Sequence, residues 1–294
     1  MPLFLFIVVK VQNILNILQG IAPLDLAQSW DNVGLLVGNT GGRVTSILLA
    51  LDPTTALVAQ AERCHTELII THHPAIFHPL KSLRSDRPAE KFLYAAVQAG
   101  IHVIGCHTNL DAAYGGVNDV LAQLLNLKKT VPLLPDGGEC SGKKTGLGRI
   151  GVLTEPVSAE SFLEQLYIVL SPPWLLEAGP RPEAVRKIAV CGGSCADISA
   201  TALAAGADVF VTSEVKHDVA RWAEEAGFWL IDGGHFATEY PAMEGLRQLL
   251  VERLEASDMP VPVQCARQEP PLRLVAGNRK KLLRNVAEKH GSET

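Results

Sequence analysis

The sequence predicts an α/β fold in which duplicated strand–helix units form two similar three-layer halves with mostly parallel sheets. Three observations support this prediction. Short apolar runs alternate with amphipathic segments along most of the 294 residues, a pattern typical of parallel sheets. Hydrophobic residues make up 47% of the chain and charged residues 19%, which is enough to fill a substantial core. Two stretches of the chain also match each other at a constant offset.

The first half contains a helix, a polar turn and then alternating strands and helices. Apolar residues recur at helical spacing from Val11 to Ala22, which predicts the first helix. Asp31 and Asn32 favour a turn through local hydrogen bonding. Strands are predicted at 44–51, 67–71 and 102–105, and helices at about 54–64, 89–99 and 117–127.

The second half repeats this alternation after a connecting region. Residues 128–144 are polar and rich in proline and glycine, so we interpret them as a linker. A strand at 146–153, a helix that begins after Ser158 and a proline-rich loop at 172–182 complete the connection. Further strands are predicted at 185–191, 208–212, 228–232 and 261–265, and helices at 196–205, 217–226 and 238–255. The predicted divisions are an N-terminal half (1–127), a connecting region (128–184), a C-terminal half (185–268) and a tail (269–294).

A fixed shift along the sequence places strand segments of the first half on strand segments of the second. Val44–Asp52 falls on Val185–Gly193, and Leu68–Thr71 falls on Val209–Thr212. We interpret the match as an internal duplication, although two unrelated strand–helix–strand units can share their hydrophobic pattern. Two similar halves would bring the carboxyl ends of their strands toward one cleft, and open α/β sheets bind ligands at these ends.

Composition disfavours several classes of protein. The net charge is -5 and no Lys/Arg cluster is long enough to suggest contact with a phosphate backbone, so nucleic-acid binding is not expected. Six cysteines are scattered without a Cys-x-x-Cys pair, which is typical of a reduced, cytoplasmic protein. The apolar segment Met1–Val9 lacks a preceding positive charge and is too short to span a bilayer, so we expect no membrane attachment. The basic tail from Gly277 is expected to be solvated or to form a frayed helix.

The stretch Thr71-His72-His73-Pro74 carries the clearest chemical signal, because it places two histidines at the carboxyl end of a predicted strand. Neighbouring residues on a regular strand point to opposite faces, so both side chains serve one site only if the chain turns there. Pro74 makes such a turn plausible. Neutral imidazole is the commonest metal ligand in proteins, and the alternative is a pair of solvated loop histidines.

Polar groups with metal-binding chemistry recur at the other predicted strand ends. The complete set is His72, His73, His107, Asp111, Glu214, His235 and Glu239. Imidazoles combined with carboxylates suit Zn, Mn, Fe, Co or Ni, and so many ligands exceed the needs of one tetrahedral ion. The sequence therefore predicts two divalent ions with a water that attacks as the nucleophile. Alternatively, Glu239 only stabilises the start of a helix and His235 is only solvated.

Five segments together resemble the GTP cyclohydrolase 1 type 2 homologue family, also called the NIF-three-like family. They are Trp30–Leu35, Thr71–Pro74, His107–Asp111, Thr212–Glu214 and Gly234–Glu239. The resemblance runs from about Val11 to Gln268, so Met1–Val9 and the tail after Val275 lie outside the pattern. The chain resembles the short members, since residues 128–184 are too few for the domain that is inserted in longer relatives.

The resemblance implies a metal centre and an assembly. By motif, the metal ligands would be His72, His73, Asp111, His235 and Glu239, with Glu239 bridging two ions. His107 and Glu214 would support these ligands or face the substrate. The family also implies toroidal homohexamers built as a trimer of dimers, and its name implies hydrolytic opening of the guanine ring of GTP.

Two functions remain open at this point. The first is a metal-dependent hydrolase that acts on a nucleotide or another phosphorylated small molecule. The second is a non-catalytic, metal-containing ring whose role is to interact with or regulate other proteins. Metal content measured together with turnover would distinguish the two.

Overall fold

The computed structural model describes residues 8–140 and 142–275, and these residues form two β-sheets with helices on both faces. Of the apolar segment Met1–Val9 only Val8 and Val9 are described, and the basic tail from Gly277 lies outside the described residues. In chain order the helices and strands are α1 (Val11–Ile21), β1 (Gly34–Val37), β2 (Ile47–Ala50), α2 (Thr55–Arg63), β3 (Leu68–Thr71), α3 (Lys91–Gln98), β4 (His102–Gly105), α4 (Thr108–Ala112), α5 (Val117–Leu124), β5 (Lys128–Cys140), β6 (Lys143–Val157), α6 (Ala159–Leu170), β7 (Leu176–Ala178), β8 (Val185–Val190), α7 (Ser199–Ala204), β9 (Val209–Thr212), α8 (His217–Ala226), β10 (Trp229–Asp232), α9 (His235–Glu239), α10 (Ala242–Ala256) and β11 (Val263–Cys265). Short 3-10 turns occur at Leu24–Leu26, Pro88–Glu90 and Ala196–Ile198.

The first sheet has the strand order β1-β4-β3-β2-β11. Its strands run parallel to their neighbours, except that β1 is antiparallel to β4. Ala50 of β2 pairs with Thr71 of β3, and Thr71 pairs with Gly105 of β4. Because these last residues are in register, the segments that follow β2, β3 and β4 begin at the same edge of the sheet.

The second sheet has the strand order β5-β6-β8-β9-β10-β7. Its centre, β8-β9-β10, is parallel, and the strands on either side are antiparallel to it. Thr212 at the end of β9 pairs with Asp232 at the end of β10, so the segments after these two strands also share one edge. Both sheets therefore contain three neighbouring parallel strands connected by helices, while the duplication itself stays a prediction.

Each sheet lies between two helical layers because its central strands bury both of their faces. Along β2, Ile47 and Leu49 pack in one core cluster with α1 and α10, whereas Leu48 packs in another with α2 and α3. Along β9, Val211 packs with α5 and α6, and Phe210 packs with α7 and α8. Continuous apolar runs are typical of such doubly covered parallel strands.

The region 128–144, which we interpreted as a linker, instead contributes residues 128–140 and 143–144 to the two strands of a β-hairpin. Strand β5 pairs antiparallel with β6, and its register shifts twice along its length. Pro132 and Pro135 are compatible with this strand because β5 is at the edge of the sheet, where a missing N–H donor costs little. The predicted loop at 172–182 likewise contains the short edge strand β7.

The end of the chain returns to the first sheet. Strand β11 pairs with β2, and α10 contributes Leu246 and Leu250 to the same core cluster as α1. Part of the predicted C-terminal half therefore completes the first sheet, and the division of the chain into domains stays a prediction.

The predicted helix 238–255 is in fact two helices, α9 and α10, separated by Tyr240 and Pro241. Within 8–140 and 142–275, none of the helices combines the length and the apolar character needed to cross a membrane.

Glu67 anchors the segment before β2, and this contact predicts a pH-dependent stability. Its carboxylate accepts hydrogen bonds from the Thr45 hydroxyl (2.6 Å) and from the backbone N–H groups of Thr45 (3.0 Å) and Ser46 (3.2 Å). Burial raises the pKa of Glu67, but these hydrogen bonds outweigh it and hold the pKa below its ordinary value of 4.5. Because the folded-state pKa is lowered, the contribution is complete above the ordinary pKa and is lost as the pH falls through the folded-state value.

We therefore expect Glu67→Gln to lower the free energy of unfolding by about 1 kcal/mol at neutral pH. The difference from the wild type should shrink as the pH falls below about 4.5. Urea unfolding at a series of pH values measures both effects. A difference that stays constant from neutral to acidic pH would show that the ionised carboxylate is not what stabilises this segment.

Candidate metal centre

The five predicted metal ligands lie together at the strand ends of the two sheets. His72 and His73 follow β3, Asp111 lies in α4 after β4, and His235 and Glu239 are the first and last residues of α9 after β10. His72, Asp111 and Glu239 offer ligand atoms that all lie within 4.8 Å of one another. His73, His235 and Glu239 form a second such group. Glu239 belongs to both groups, so one carboxylate connects two adjacent candidate ion sites.

The adjacent histidines reach the same site although they are neighbours in sequence. The backbone N–H of His72 donates to the carbonyl of Ala50 (3.0 Å), and that of His73 donates to the carbonyl of Leu51 (2.9 Å). The Thr71 hydroxyl also donates to the carbonyl of His73 (2.7 Å), which closes a tight local turn. Their ring centroids are 5.1 Å apart. His72 is fully buried, whereas the side chain of His73 is 22% exposed and borders a cavity.

The cluster contains four imidazoles, those of His72, His73, His107 and His235. In each of them Nδ1 lies within hydrogen-bond distance of an oxygen that can only accept a hydrogen bond. The acceptors are the Cys106 carbonyl for His72 (2.9 Å), Asp52 for His73 (2.7 Å), Asp31 for His107 (2.9 Å) and Glu214 for His235 (2.9 Å). We therefore assign the proton to Nδ1 in the neutral ring, which leaves the lone pair of Nε2 free. This is the arrangement that outer carboxylates and carbonyls impose on metal-binding histidines.

Three buried polar atoms of the cluster have no hydrogen-bond partner among the residues that the structure describes: His72 Nε2, Asp111 Oδ1 and Glu239 Oε2. His72 Nε2 lies 3.6 Å from Asp111 Oδ1 and 3.8 Å from Glu239 Oε1. Ligand atoms about 2.0–2.2 Å from one tetrahedral ion would be separated by about 3.3–3.6 Å. Unsatisfied buried polar atoms are costly, and a cation beside His72 Nε2 and Asp111 Oδ1 would satisfy both of them. Glu239 Oε2 instead faces Nε2 of His73 and of His235, each at 3.0 Å, so it belongs to the second donor group. The residues of both groups therefore fit metal ions.

The charges of the cluster also fit a cation. Burial lowers the pKa values of His73 and His235, but contacts with carboxylates outweigh it and raise them to about 10 and about 9. Burial raises the pKa of Asp111 to about 6. Burial also favours the neutral form of Glu239, yet its three histidine neighbours hold its pKa well below the ordinary range. Protons on the imidazoles thus balance the carboxylates, and a bound metal ion would displace those protons.

A cavity of about 580 Å³ gives access to the cluster. Its lining includes His73, Asp111, His235 and Glu239, together with the aromatic side chains of Trp30 and Phe77. A cavity of about 640 Å³ near the start of α2 touches Asp52 but none of the four imidazoles. We assign the functional site to the smaller cavity because it contains the metal-binding groups and has the size of a small-molecule site.

Because Gly193 has no side chain, the carboxylate of Glu239 can occupy the space beside it. Its φ is +71°, and a Cβ at this position would lie 2.1 Å from Glu239 Oε1 and 3.5 Å from His235 Nε2. We expect Gly193→Ala to displace the shared carboxylate and to weaken metal binding by about 10- to 100-fold. Gly100→Ala is the matched control, since Gly100 has a similar φ of +69° with nothing within 4 Å of its Cβ position. Equal metal affinity in the two variants, measured by calorimetric titration, would contradict this role.

The structure also shows two acidic residues that the sequence analysis did not assign to the site. Asp31 was interpreted only as a turn residue, yet its carboxylate accepts hydrogen bonds from His107 and from the backbone N–H of Thr108. Asp52 is the second residue after the end of β2, so the same strand-end argument that selected His72 and His73 would have found it. The two predicted outer residues lie beside the cluster: Glu214 contacts His235, and His107 forms a third donor group with His72 and His73.

Comparison with known proteins gives consistent matches over nearly the whole chain. Residues 9–271 match the family described as Duf34/NIF3 (NGG1p interacting factor 3). A Clostridium perfringens protein named GTP cyclohydrolase 1 type 2 homolog is 32% identical, over 84% of this chain and 93% of that protein. A Staphylococcus aureus protein of known structure is 28% identical with a TM-score of 0.85, covering 91% of this chain and 99% of the other. A Bacillus cereus protein described as related to NIF3 shares the fold with a TM-score of 0.86 at 24% identity, covering 91% of this chain and all of the other.

Proposed function

The chain belongs to the Duf34/NIF3 family, and we propose that it binds two divalent metal ions and hydrolyses a nucleotide or another phosphorylated small molecule. The observation that carries this proposal is the pair of donor groups that share Glu239. The unsatisfied atoms of His72, Asp111 and Glu239 support it independently.

In this proposal each ion has its own imidazole ligands. One ion is held by His72, Asp111 and Glu239, and the other by His73, His235 and Glu239. The donor set suits Zn, Mn, Fe, Co or Ni. When bound, a pair of such ions supplies Lewis acidity and a water that is acidic enough to act as a nucleophile.

Other residues of the chain prepare the site. Asp52 and Glu214 hold the rings of His73 and His235, so that Nε2 of each ring faces the shared carboxylate. His107 is held by Asp31 and lines the cavity. These two contacts support a role in exchanging a proton with a substrate.

The substrate and the assembly are also proposals. The printed names of curated relatives refer to GTP cyclohydrolase 1 type 2, so GTP is the first nucleotide to test. The family resemblance supports a homohexamer arranged as a trimer of dimers.

Metal content and turnover, measured on the same preparation, test the proposed function. Protein purified without chelator would be analysed for bound ions and then assayed on GTP and a panel of phosphoesters, with His72→Ala and Glu239→Ala alongside. We expect bound metal and a turnover that both substitutions abolish. Bound metal without turnover of any compound would favour a non-catalytic interaction or regulatory protein, and protein without metal would contradict both functions.

A further inference from the structure

Two aromatic side chains are exposed where the cavity meets solvent. Trp30 is 57% exposed and Phe77 is 43% exposed, and both line the cavity that contains the candidate metal centre. Their ring centroids are 5.7 Å apart at an interplanar angle of 54°. Large apolar side chains that meet at the opening of a polar cavity indicate a binding surface more often than isolated exposed ones do.

A hydrogen bond joins the two segments that carry these rings, and a second one joins the Trp30 segment to α4. The side-chain amide of Asn32, two residues after Trp30, donates to the carbonyl of Ile76, next to Phe77 (2.6 Å). The backbone N–H of Gln28 donates to the hydroxyl of Thr108 (2.9 Å). These hydrogen bonds fix the backbone segments that carry the two rings, one to the other and to α4, which reduces the entropic cost of binding a ligand between them.

The same segments are tied to the candidate metal centre. Asp31 lies next to Trp30 and accepts a hydrogen bond from Nδ1 of His107. The His107 ring centroid is 6.0 Å from that of Trp30 and 6.3 Å from that of Phe77. The same ring is 5.2 Å from His72 and 5.7 Å from His73. One imidazole thus separates the aromatic pair from the proposed metal ligands.

We propose that Trp30 and Phe77 form a stacking platform that binds a planar heteroaromatic ring of the substrate. Aromatic side chains stack on the π-face of any nucleobase, so the platform selects ring-bearing molecules over sugar phosphates. Leu134, Leu147 and Ile198 also line the cavity and provide apolar surface for the rest of the ring. The inference deepens the proposed function and rests on it for the reaction, but ring binding can be measured separately from metal binding and turnover.

Binding measurements on the full, metal-loaded chain test the platform. The probes are AMP, GMP, CMP and UMP, compared with ribose 5-phosphate, which has the sugar and phosphate but no ring. We expect at least one nucleotide to bind more tightly than ribose 5-phosphate in calorimetric titrations. Trp30→Leu and Phe77→Leu should each weaken that nucleotide about tenfold or more. Affinity for ribose 5-phosphate and metal content should stay unchanged.

Tyr94→Leu is the matched control, because Tyr94 is an aromatic residue of α3 that is 40% exposed and does not line this cavity. It should bind the nucleotide as the wild type does, and Trp30→Tyr, which keeps a stacking ring, should retain most of the affinity. Wild-type protein that binds all four nucleotides no more tightly than ribose 5-phosphate would overturn the proposal without the need for any variant. Normal nucleotide binding by Trp30→Leu would also overturn the proposal. A changed mass of the assembly in Trp30→Leu would overturn it too, because it would show that this surface is a contact between subunits. Nucleotide stacking on protein that binds no metal would support the platform while contradicting the proposed function.

Discussion

Replacing Glu239 with glutamine is expected to prevent binding of both proposed metal ions at once. Its carboxylate belongs to both donor groups, with one oxygen 3.0 Å from Nε2 of His73 and 3.0 Å from Nε2 of His235. Glutamine keeps the shape but loses the negative charge that balances the ions. We expect metal affinity to fall by more than about 100-fold, beyond the loss caused by changing an outer partner of a ligand.

A variant of a ligand that belongs to only one donor group should lose one proposed ion and keep the other. His235→Ala removes a ligand from only one donor group, so we expect one ion per chain to remain. Glu244→Gln is the control for the chemical change, because Glu244 is exposed on α10 and pairs with Arg247. Its metal content should equal that of the wild type. Two ions per chain in Glu239→Gln, measured by mass spectrometry of the metals, would contradict the shared-carboxylate arrangement.

Replacing Arg149 with leucine is expected to cause the largest loss of stability outside the site. Arg149 of β6 is 2% exposed, and its guanidinium donates to both carboxylate oxygens of Asp119 (2.9 and 2.7 Å). It also donates to the carbonyls of Gly146, Gly148 and Ala113 at 2.8–3.1 Å. The substitution would leave the buried carboxylate without its cationic partner and would remove one hydrogen-bond donor from each of three carbonyls, so we expect the free energy of unfolding to fall by about 3–5 kcal/mol.

Two further substitutions show whether the buried location causes this loss. Arg221→Leu breaks an exposed pair with Glu224 on α8 and should change the free energy of unfolding by less than about 1 kcal/mol. Arg149→Lys keeps the charge but cannot reproduce the forked hydrogen bonds, so its stability should fall between the leucine variant and the wild type. Denaturant unfolding measures all three, and equal stability of Arg149→Leu and Arg221→Leu would contradict the role of the buried pair.

The residues that the sequence suggests as metal ligands lie together in the structure because they follow buried parallel strands. The apolar runs before His72 and before His107 are strongly patterned, and parallel strands place their carboxyl ends at one edge. Asp31 could not be assigned this way, because its local role as a turn residue explains its presence without any reference to His107. That contact joins residues 76 positions apart, and no local pattern encodes it.

The differences between the predicted and the observed strands have a similar cause. Strand β5 contains Pro132 and Pro135, which predict a loop when only the neighbouring residues are considered. They are compatible with strand pairing because β5 lies at the edge of the sheet. Strand β11 has only three residues, and its partner β2 lies more than two hundred residues earlier in the chain. Neither hydrophobic periodicity nor turn signals specify which sheet such a strand will join.

The arrangement of the ions can be measured most directly by anomalous X-ray diffraction from crystals of protein purified without chelator. The proposed centre predicts two peaks about 3.5–4 Å apart, both next to the carboxylate of Glu239. One should lie beside His72 and Asp111, and the other beside His73 and His235. Density without a metal peak near Glu239, or with one peak that contacts neither His72 nor His235, would contradict the proposed dinuclear centre.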